Sequence, residues 1–135
     1  VYAHREESPC HKQAKDILKK YAEGKEPWVL AWPCIYEFLR VVKHPKVFHP
    51  PTPINLAWQN IVELLNSPSL ILLSESDKHK YILSDIIKKL NLRGNIIHDA
   101  HIAAILIENG IFRIVTADED FHRFSELKVI KPFSA

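Results

Sequence analysis

The amino-acid sequence alternates between two hydrophobic patterns. Apolar residues three or four positions apart predict amphipathic helices, and short continuous apolar runs predict buried strands. Helices are predicted at residues 11–24, from Pro33 onwards, at 54–65, at 78–91, from Asn95 or His98 to Asn109-Gly110, and at 119–124. Strands are predicted at Trp28–Ala31, Leu70–Leu73, Phe112–Thr116 and Leu127–Ile130. This alternation is typical of an α/β/α sandwich with a mainly parallel central sheet.

Glycine and proline residues mark where the predicted elements end and begin. Gly24 is suited to cap the first helix, and Thr52-Pro53 predicts an N-cap followed by a first helical position. Four prolines between His44 and Pro53 predict a stiff connection rather than a flexible linker. Residues 1–135 are therefore expected to form a single domain.

The composition is that of an ordinary soluble globular protein, with 47% hydrophobic and 25% charged residues and a net charge of +2. This mild positive charge permits a nucleic-acid partner without arguing for one. Cys10 and Cys34 form no CxxC pair, which favours a reducing, cytoplasmic setting. Neither a signal peptide nor an apolar run long enough to span a membrane is expected.

The eight histidines raise the question of a zinc site. His98 and His101 are the only close pair, and neither has a Cys or carboxylate partner at a recognised ligand spacing. The histidines are therefore expected to lie at the surface or half-buried, without zinc.

Acidic residues in apolar surroundings are the main chemical signal. Asp99 opens a predicted helix that is apolar nearly all round, and shares a face with Ile102, Ala103 and Leu106. Carboxylates cost free energy in such surroundings unless they are paired, hydrogen-bonded or bound to metal. Asp99 is thus predicted to be functional, although a first-turn Asp also complements the helix dipole.

Asp118 and Asp120 follow a predicted strand, where the crevice of an open α/β sheet lies. An Asp just after a strand is also a common helix N-cap, and Asp118 is suited to both purposes. Glu37 shares a helix face with Cys34 and Val41, which is not a typical solvent face. Eight further acidic residues are predicted to be solvated: Glu23, Glu26, Glu63, Glu75, Asp77, Asp85, Glu108 and Glu126.

In order and context, these residues resemble the PIN-domain ribonucleases, and most closely the VapC-type toxins of toxin–antitoxin pairs. The resemblance covers essentially the whole chain. It runs through Tyr2-Ala3-His4, Trp32-Pro33, Glu37–Val42, His44-Pro45, Arg93-Gly94-Asn95, Asp99–Ala104 and Thr116–Phe121, of which the last two are the most specific. It implies a PIN-like α/β/α fold.

The resemblance also implies which residues form the site. Residues matching Glu37, Asp99 and Asp118 line the metal site of that family, and these three are the expected catalytic residues. Asp120 matches a further acidic position and is expected as an additional metal ligand, and Thr116 matches a hydroxyl residue beside the site. The family's first acidic residue belongs to an N-terminal strand and would precede Val1. Most of that strand is then missing. Either the sequence is trimmed, which its start in the middle of a strand favours, or it is a variant without full activity.

The function that the resemblance implies is endoribonuclease activity that depends on Mg²⁺ or Mn²⁺. It also implies that the protein forms a homodimer and binds a cognate antitoxin. As it starts at Val1, the chain is expected to be weakly active or inactive. One alternative is a catalytically silent PIN-like module that binds RNA or protein. Another takes Asp118-x-Asp120 as a haloacid-dehalogenase-type phosphatase motif, but that motif normally opens its fold, and His122 stands where Thr or Val is expected.

Overall fold

A computed structural model describes residues 19–43, 53–91, 96–116 and 118–131 of the chain, excluding the side chains of residues 42 and 43. Predictions on the first 18 residues, on the connection at residues 44–52, which contains His44-Pro45 and Thr52, and on Arg93-Gly94-Asn95 lie outside these ranges. The chain divides into two compact units, Val1–Leu72 and Leu73–Ala135. The expectation of a single domain stays a prediction.

Among the described residues of the first unit are one helix end, two strands and two complete helices. Residues 19–23 are helical, followed by β1 (Trp28–Ala31), α1 (Trp32–Lys43), α2 (Ile54–Leu65) and β2 (Leu70–Leu73), whose last residue belongs to the second unit. Strands β1 and β2 are hydrogen-bonded neighbours, and α1 packs against α2. Ala31, Ile35, Ala57 and Ile61 form the buried core of this unit.

The helix that ends at residue 23 is closed by the glycine that the sequence predicts. A Cβ atom on Gly24 would lie 2.8 Å from the backbone oxygen of Lys20, so only glycine fits without a shift. The Ser67 and Ser69 hydroxyls donate to the backbone oxygens of Ala22 and Tyr21, at 2.9 and 3.1 Å. These bonds satisfy carbonyls that a helix end leaves without a partner.

Helix α2 differs in two respects from the predicted one. Pro53 occupies the N-cap position rather than the first helical position, and makes no side-chain capping bond. The sequence predicts a buried apolar stripe on this helix, formed by Ile54, Ala57, Trp58, Ile61, Leu64 and Leu65. This stripe is only partly buried: Ala57 and Ile61 are in the core, but Trp58 is 43% exposed. Proline cannot donate a backbone hydrogen bond, so it is tolerated at this boundary as well as one position later.

The second unit contains α3 (His79–Leu90), α4 (Ile96–Glu108), β3 (Arg113–Val115), a 3-10 helix (Glu119–Arg123) and β4 (Lys128–Ile130). Strands β3 and β4 are parallel, with Ile114 opposite Val129, as predicted for this kind of sheet. The backbone N–H of Thr116 donates to the oxygen of Ile130 at 3.1 Å and extends the pairing by one bond. None of the helices among the described residues is long and apolar enough to cross a membrane.

Helix α4 is the core of the second unit. Ala100 and five consecutive residues from Ile102 to Leu106 are buried, as its continuous apolar sequence predicts. It packs against α3 and the 3-10 helix. Gly110, with φ +76°, ends α4. Its backbone N–H donates to the oxygen of Ile107, and that of Ile111 to the oxygen of Leu106. These are the two bonds of a Schellman motif.

Candidate functional site

Three aspartates of the second unit come together although 21 positions separate the first from the last in sequence. Asp99, Asp118 and Asp120 each place a carboxylate oxygen within 4.8 Å of the others. Asp99 comes from the first turn of α4, and the other two come from the start of the 3-10 helix after β3. We refer to these three residues as the acidic group.

Asp99 is the buried member of the acidic group. It is 8% exposed and belongs to the buried core of the described residues. Its position in the first turn of α4 places the carboxylate where unpaired backbone N–H groups favour negative charge. The apolar helix behind it restricts the carboxylate to the end of α4.

Asp118 has a structural role as well as a place in the acidic group. Its Oδ1 accepts the backbone N–H of Asp120 at 2.9 Å, which makes it the N-cap of the 3-10 helix. Its own backbone N–H donates to Thr116 Oγ1 at 3.1 Å. A carboxylate has two oxygens and about four acceptor sites, so the cap leaves coordination capacity.

A bound cation would reduce the electrostatic repulsion within the acidic group. Two unit negative charges 4.8 Å apart repel by about 1 kcal/mol in bulk water and by about 3.5 kcal/mol at an effective dielectric constant of about 20. Arg123 offers limited relief, since its Nε lies 3.9 Å from Asp120 Oδ1 and both side chains are about half exposed. Carboxylate oxygens are the ligands that Mg²⁺ and Mn²⁺ prefer, so the donor set fits either ion.

Glu37, the remaining predicted carboxylate, lies on α1 in the first unit. It is half-buried. This agrees with the expectation that its helix face is not an ordinary solvent face. Because Glu37 and the acidic group belong to different units, their convergence stays a prediction.

A second polar group was not anticipated from the sequence. Glu75, His79 and His101 each place a possible ligand atom within 4.8 Å of the others, and we call these three the histidine group. Glu108 contacts it through His79, and its side chain is fully buried rather than solvated as predicted. The four residues lie on a loop and two helices. The packing of α3 on α4 brings them together, and no spacing within the sequence indicates it.

A protein-family model described as PIN domain matches residues 1–127. The chain therefore belongs to the PIN-domain family, and its helices and parallel strands are those of this α/β fold. The family is the one that the sequence motifs resemble, and it argues against the phosphatase alternative.

Several proteins similar to this chain are named ribonucleases. Ribonuclease VapC48 of Mycobacterium tuberculosis (strain CDC 1551 / Oshkosh) is 30% identical over 134 residues, which are 99% of this chain and 92% of that protein. VapC ribonuclease Mb2897 of Mycobacterium bovis is 34% identical over 128 residues, 95% of this chain and 86% of that protein. Ribonuclease VapC37 of Mycobacterium tuberculosis (strain ATCC 25618 / H37Rv) is 28% identical over 132 residues, 98% of this chain and 91% of that protein.

Proposed function

We propose that this protein is a metal-dependent endoribonuclease that hydrolyses RNA phosphodiester bonds. The observation that carries the proposal is the acidic group, with one buried and two more accessible carboxylates within 4.8 Å. Membership in the PIN-domain family and similarity to proteins named VapC ribonucleases support it. The RNA products would carry a 5′-phosphate and a 3′-hydroxyl at the cleaved bond, as the family resemblance implies.

The proposed roles of the residues follow from their positions. Asp99 and Asp118 would hold Mg²⁺ or Mn²⁺ together with Glu37, and Asp120 would add negative charge beside them. When bound, such an ion activates water for attack and offsets the charge on phosphate oxygens. Thr116 acts as a positioning residue, because its hydroxyl accepts the backbone N–H of Asp118.

The substrate would be single-stranded RNA. A scissile phosphate must approach Asp99, which is almost fully buried, and unpaired strands can be splayed to reach such a site. The net charge of +2 is small, so binding would depend on contacts near the site more than on a general positive field.

We also propose that the protein is the toxin of a toxin–antitoxin pair, forms a homodimer and acts in the cytoplasm. On α2, Ile54, Leu56, Trp58 and Val62 are between 38% and 50% exposed, more apolar surface than one helix usually leaves in water. An amphipathic segment of an antitoxin would cover such a surface.

RNA cleavage by matched variants tests the nuclease proposal. Asp99→Asn and Asp118→Asn should each lower the rate with Mg²⁺ or Mn²⁺ by about 100-fold or more, since both remove charge from the acidic group. Asp85→Asn, an exposed Asp on α3, is the matched control and should cleave like the wild type. The assay should use the printed sequence and any residues that the gene encodes before Val1.

Three results would count against the proposal. Cleavage that persists in EDTA, or is equal in Asp99→Asn and Asp85→Asn, would show that the acidic group is not the site of the reaction. RNA binding without cleavage under every metal condition would favour the catalytically silent module instead.

A further inference from the structure

The histidine group has the composition of a transition-metal site and is separate from the acidic group. Glu75 lies on the loop after β2, His79 is the first residue of α3, and His101 lies on α4. His101 follows Asp99 by two positions, about 200° around the helix, so the two groups lie on different sides of α4.

His101 and Glu75 are already in direct contact. His101 Nε2 lies 2.6 Å from Glu75 Oε1, and both side chains are partly exposed, by 38% and 48%. This hydrogen bond is the main cause that holds the pKa of Glu75 below its ordinary value. The contact places one carboxylate oxygen and one imidazole nitrogen, both possible metal ligands, side by side.

His79 is oriented by a buried carboxylate. Its Nδ1 lies 2.7 Å from Glu108 Oε2, and the other oxygen of Glu108 accepts the backbone N–H of Ser76. In a neutral imidazole, a proton on Nδ1 that is donated to Glu108 leaves the electron pair on Nε2. Metal-binding histidines are commonly fixed by such a carboxylate partner on the second ring nitrogen.

We propose that Glu75, His79 and His101 bind a Zn²⁺ ion, with Glu108 as the positioning residue for His79. Two imidazole nitrogens and one carboxylate oxygen, with water in the fourth position, are a known donor set for zinc. Tetrahedral zinc bonds of about 2.0–2.2 Å place ligand atoms about 3.3 Å apart, so atoms already within 4.8 Å need to move by roughly an ångström or less.

The charges in and around the histidine group also suit a divalent cation. Glu75 and Glu108 together supply two negative charges, which balance Zn²⁺. Imidazole nitrogen selects zinc over Mg²⁺, so this site and the acidic group would prefer different ions.

Two separate histidine–carboxylate ion pairs are the simpler explanation of these contacts. They would account for the pairs His101–Glu75 and His79–Glu108, but they do not require the two imidazole rings to meet. The ring centres of His79 and His101 are 5.5 Å apart with an edge-to-face tilt of 63°. Bound zinc would link α3 to α4 and to the loop after β2, and this role does not depend on RNA cleavage.

Nuclear magnetic resonance of the histidine rings tests the proposal on the unmodified protein. Zinc sulfate is titrated without RNA, in excess Mg²⁺ that competes for the acidic group. One equivalent of Zn²⁺ should shift the ring signals of His79 and His101. His122 is the internal control, because it also contacts a carboxylate, Glu119 at 3.2 Å, but belongs to neither group. Unchanged His79 and His101 signals would overturn the proposal.

Variants then identify the ligands. His79→Gln and His101→Gln should each weaken Zn²⁺ binding by about 100-fold or more, and Glu108→Gln by about 10- to 100-fold although it removes no ligand. His122→Gln should bind like the wild type. Equal affinity of His101→Gln and His122→Gln would overturn the proposal. A variant that does not fold leaves the titration of the unmodified protein as the deciding measurement.

Discussion

Asp118 caps the 3-10 helix through Oδ1 and also places a carboxylate oxygen within 4.8 Å of those of Asp99 and Asp120. The sequence indicated both roles, and the structure shows that a capping bond and a place beside Asp99 and Asp120 are compatible. The geometry depends on Thr116, whose hydroxyl accepts the backbone N–H of Asp118. Local structure and proposed chemistry are therefore separable by substitution.

Two substitutions of Asp118 should separate capping from cleavage. Asn is as good an N-cap as Asp, so Asp118→Asn should retain the free energy of unfolding while losing cleavage. Asp118→Ala should lose cleavage and also about 0.5–2 kcal/mol of stability. Urea unfolding of both variants, beside the cleavage assay, measures the two effects. Equal stability of the two would contradict the capping role.

The acidic residues also show what single-residue patterns predict and what they miss. The burial of Asp99 was predictable, because the helix around it is apolar on nearly every side. The burial of Glu108 was not, because a glutamate at a helix end normally reaches water. Its partner His79 is 29 residues away, and only the packing of α3 on α4 brings them together.

At the level of secondary structure, the sequence predicted the type of every complete helix and strand that the structure describes, with small differences at the ends. Strand β3 is shorter than predicted by one residue at each end, and α4 begins at Ile96, between the two predicted starts. The hydrophobic period of an element is set by many residues, so it predicts the type of the element well. The position where a helix or strand ends depends on one or two local hydrogen bonds and is harder to predict. Pro53 is such a case, since its ring is accepted on either side of the helix start.

The Schellman motif that ends α4 should depend on the left-handed backbone of Gly110. Gly110→Ala should lower the free energy of unfolding by about 1–2 kcal/mol, because the Cβ atom is unfavourable at φ +76°. No neighbouring atom lies within 4 Å of that Cβ position, so the cost is conformational and not a clash. Gly110→Asn, which tolerates this conformation better, is the control. A loss for Asn as large as for Ala would contradict the argument.

Burial along α4 predicts a large contrast between two isoleucines of the same helix. Ile105 is fully buried and Ile97 is 54% exposed. Ile105→Ala should lower the free energy of unfolding by about 2–5 kcal/mol, through lost burial and a residual cavity. Ile97→Ala should change it by about 0.5 kcal/mol or less. Thermal and urea unfolding of the pair measure this difference, and similar values for both would place the core elsewhere.

On the scale of the whole molecule, family membership was predictable because the motifs are spread over nearly the full chain. Partners are less predictable, since an exposed apolar helix face does not specify what covers it. Trp58 is the largest exposed side chain of α2. The sequence could not predict this exposure, because Trp58 belongs to the same apolar stripe as the buried residues Ala57 and Ile61. The expected homodimer and antitoxin therefore need direct measurement.

Trp58→Ser should weaken partner binding more than it destabilises the protein, because 43% of the side chain is exposed. The antitoxin candidate is any small protein that a neighbouring gene encodes, and its capture should fall by about tenfold or more, as for an aromatic residue central to an interface. Phe112→Ser, with 52% exposure on another part of the chain, is the matched control. Light scattering of the wild type shows whether a dimer forms. A strict monomer that ignores the neighbouring protein would contradict the toxin proposal.

Helix α4 has a buried centre, and its first half carries one member of each polar group, Asp99 and His101. Its backbone N–H groups from Ala103 to Leu106 can exchange with deuterium only when the second unit opens, because fraying cannot reach them. We expect these amides to exchange among the slowest of the described residues, at a rate set by global unfolding. The acidic residue at its start and the histidine two positions later are thus anchored to the part of the chain that opens least often. Fast hydrogen–deuterium exchange at the Ala104 amide, measured by mass spectrometry, would show that the centre of α4 opens often and would contradict this expectation.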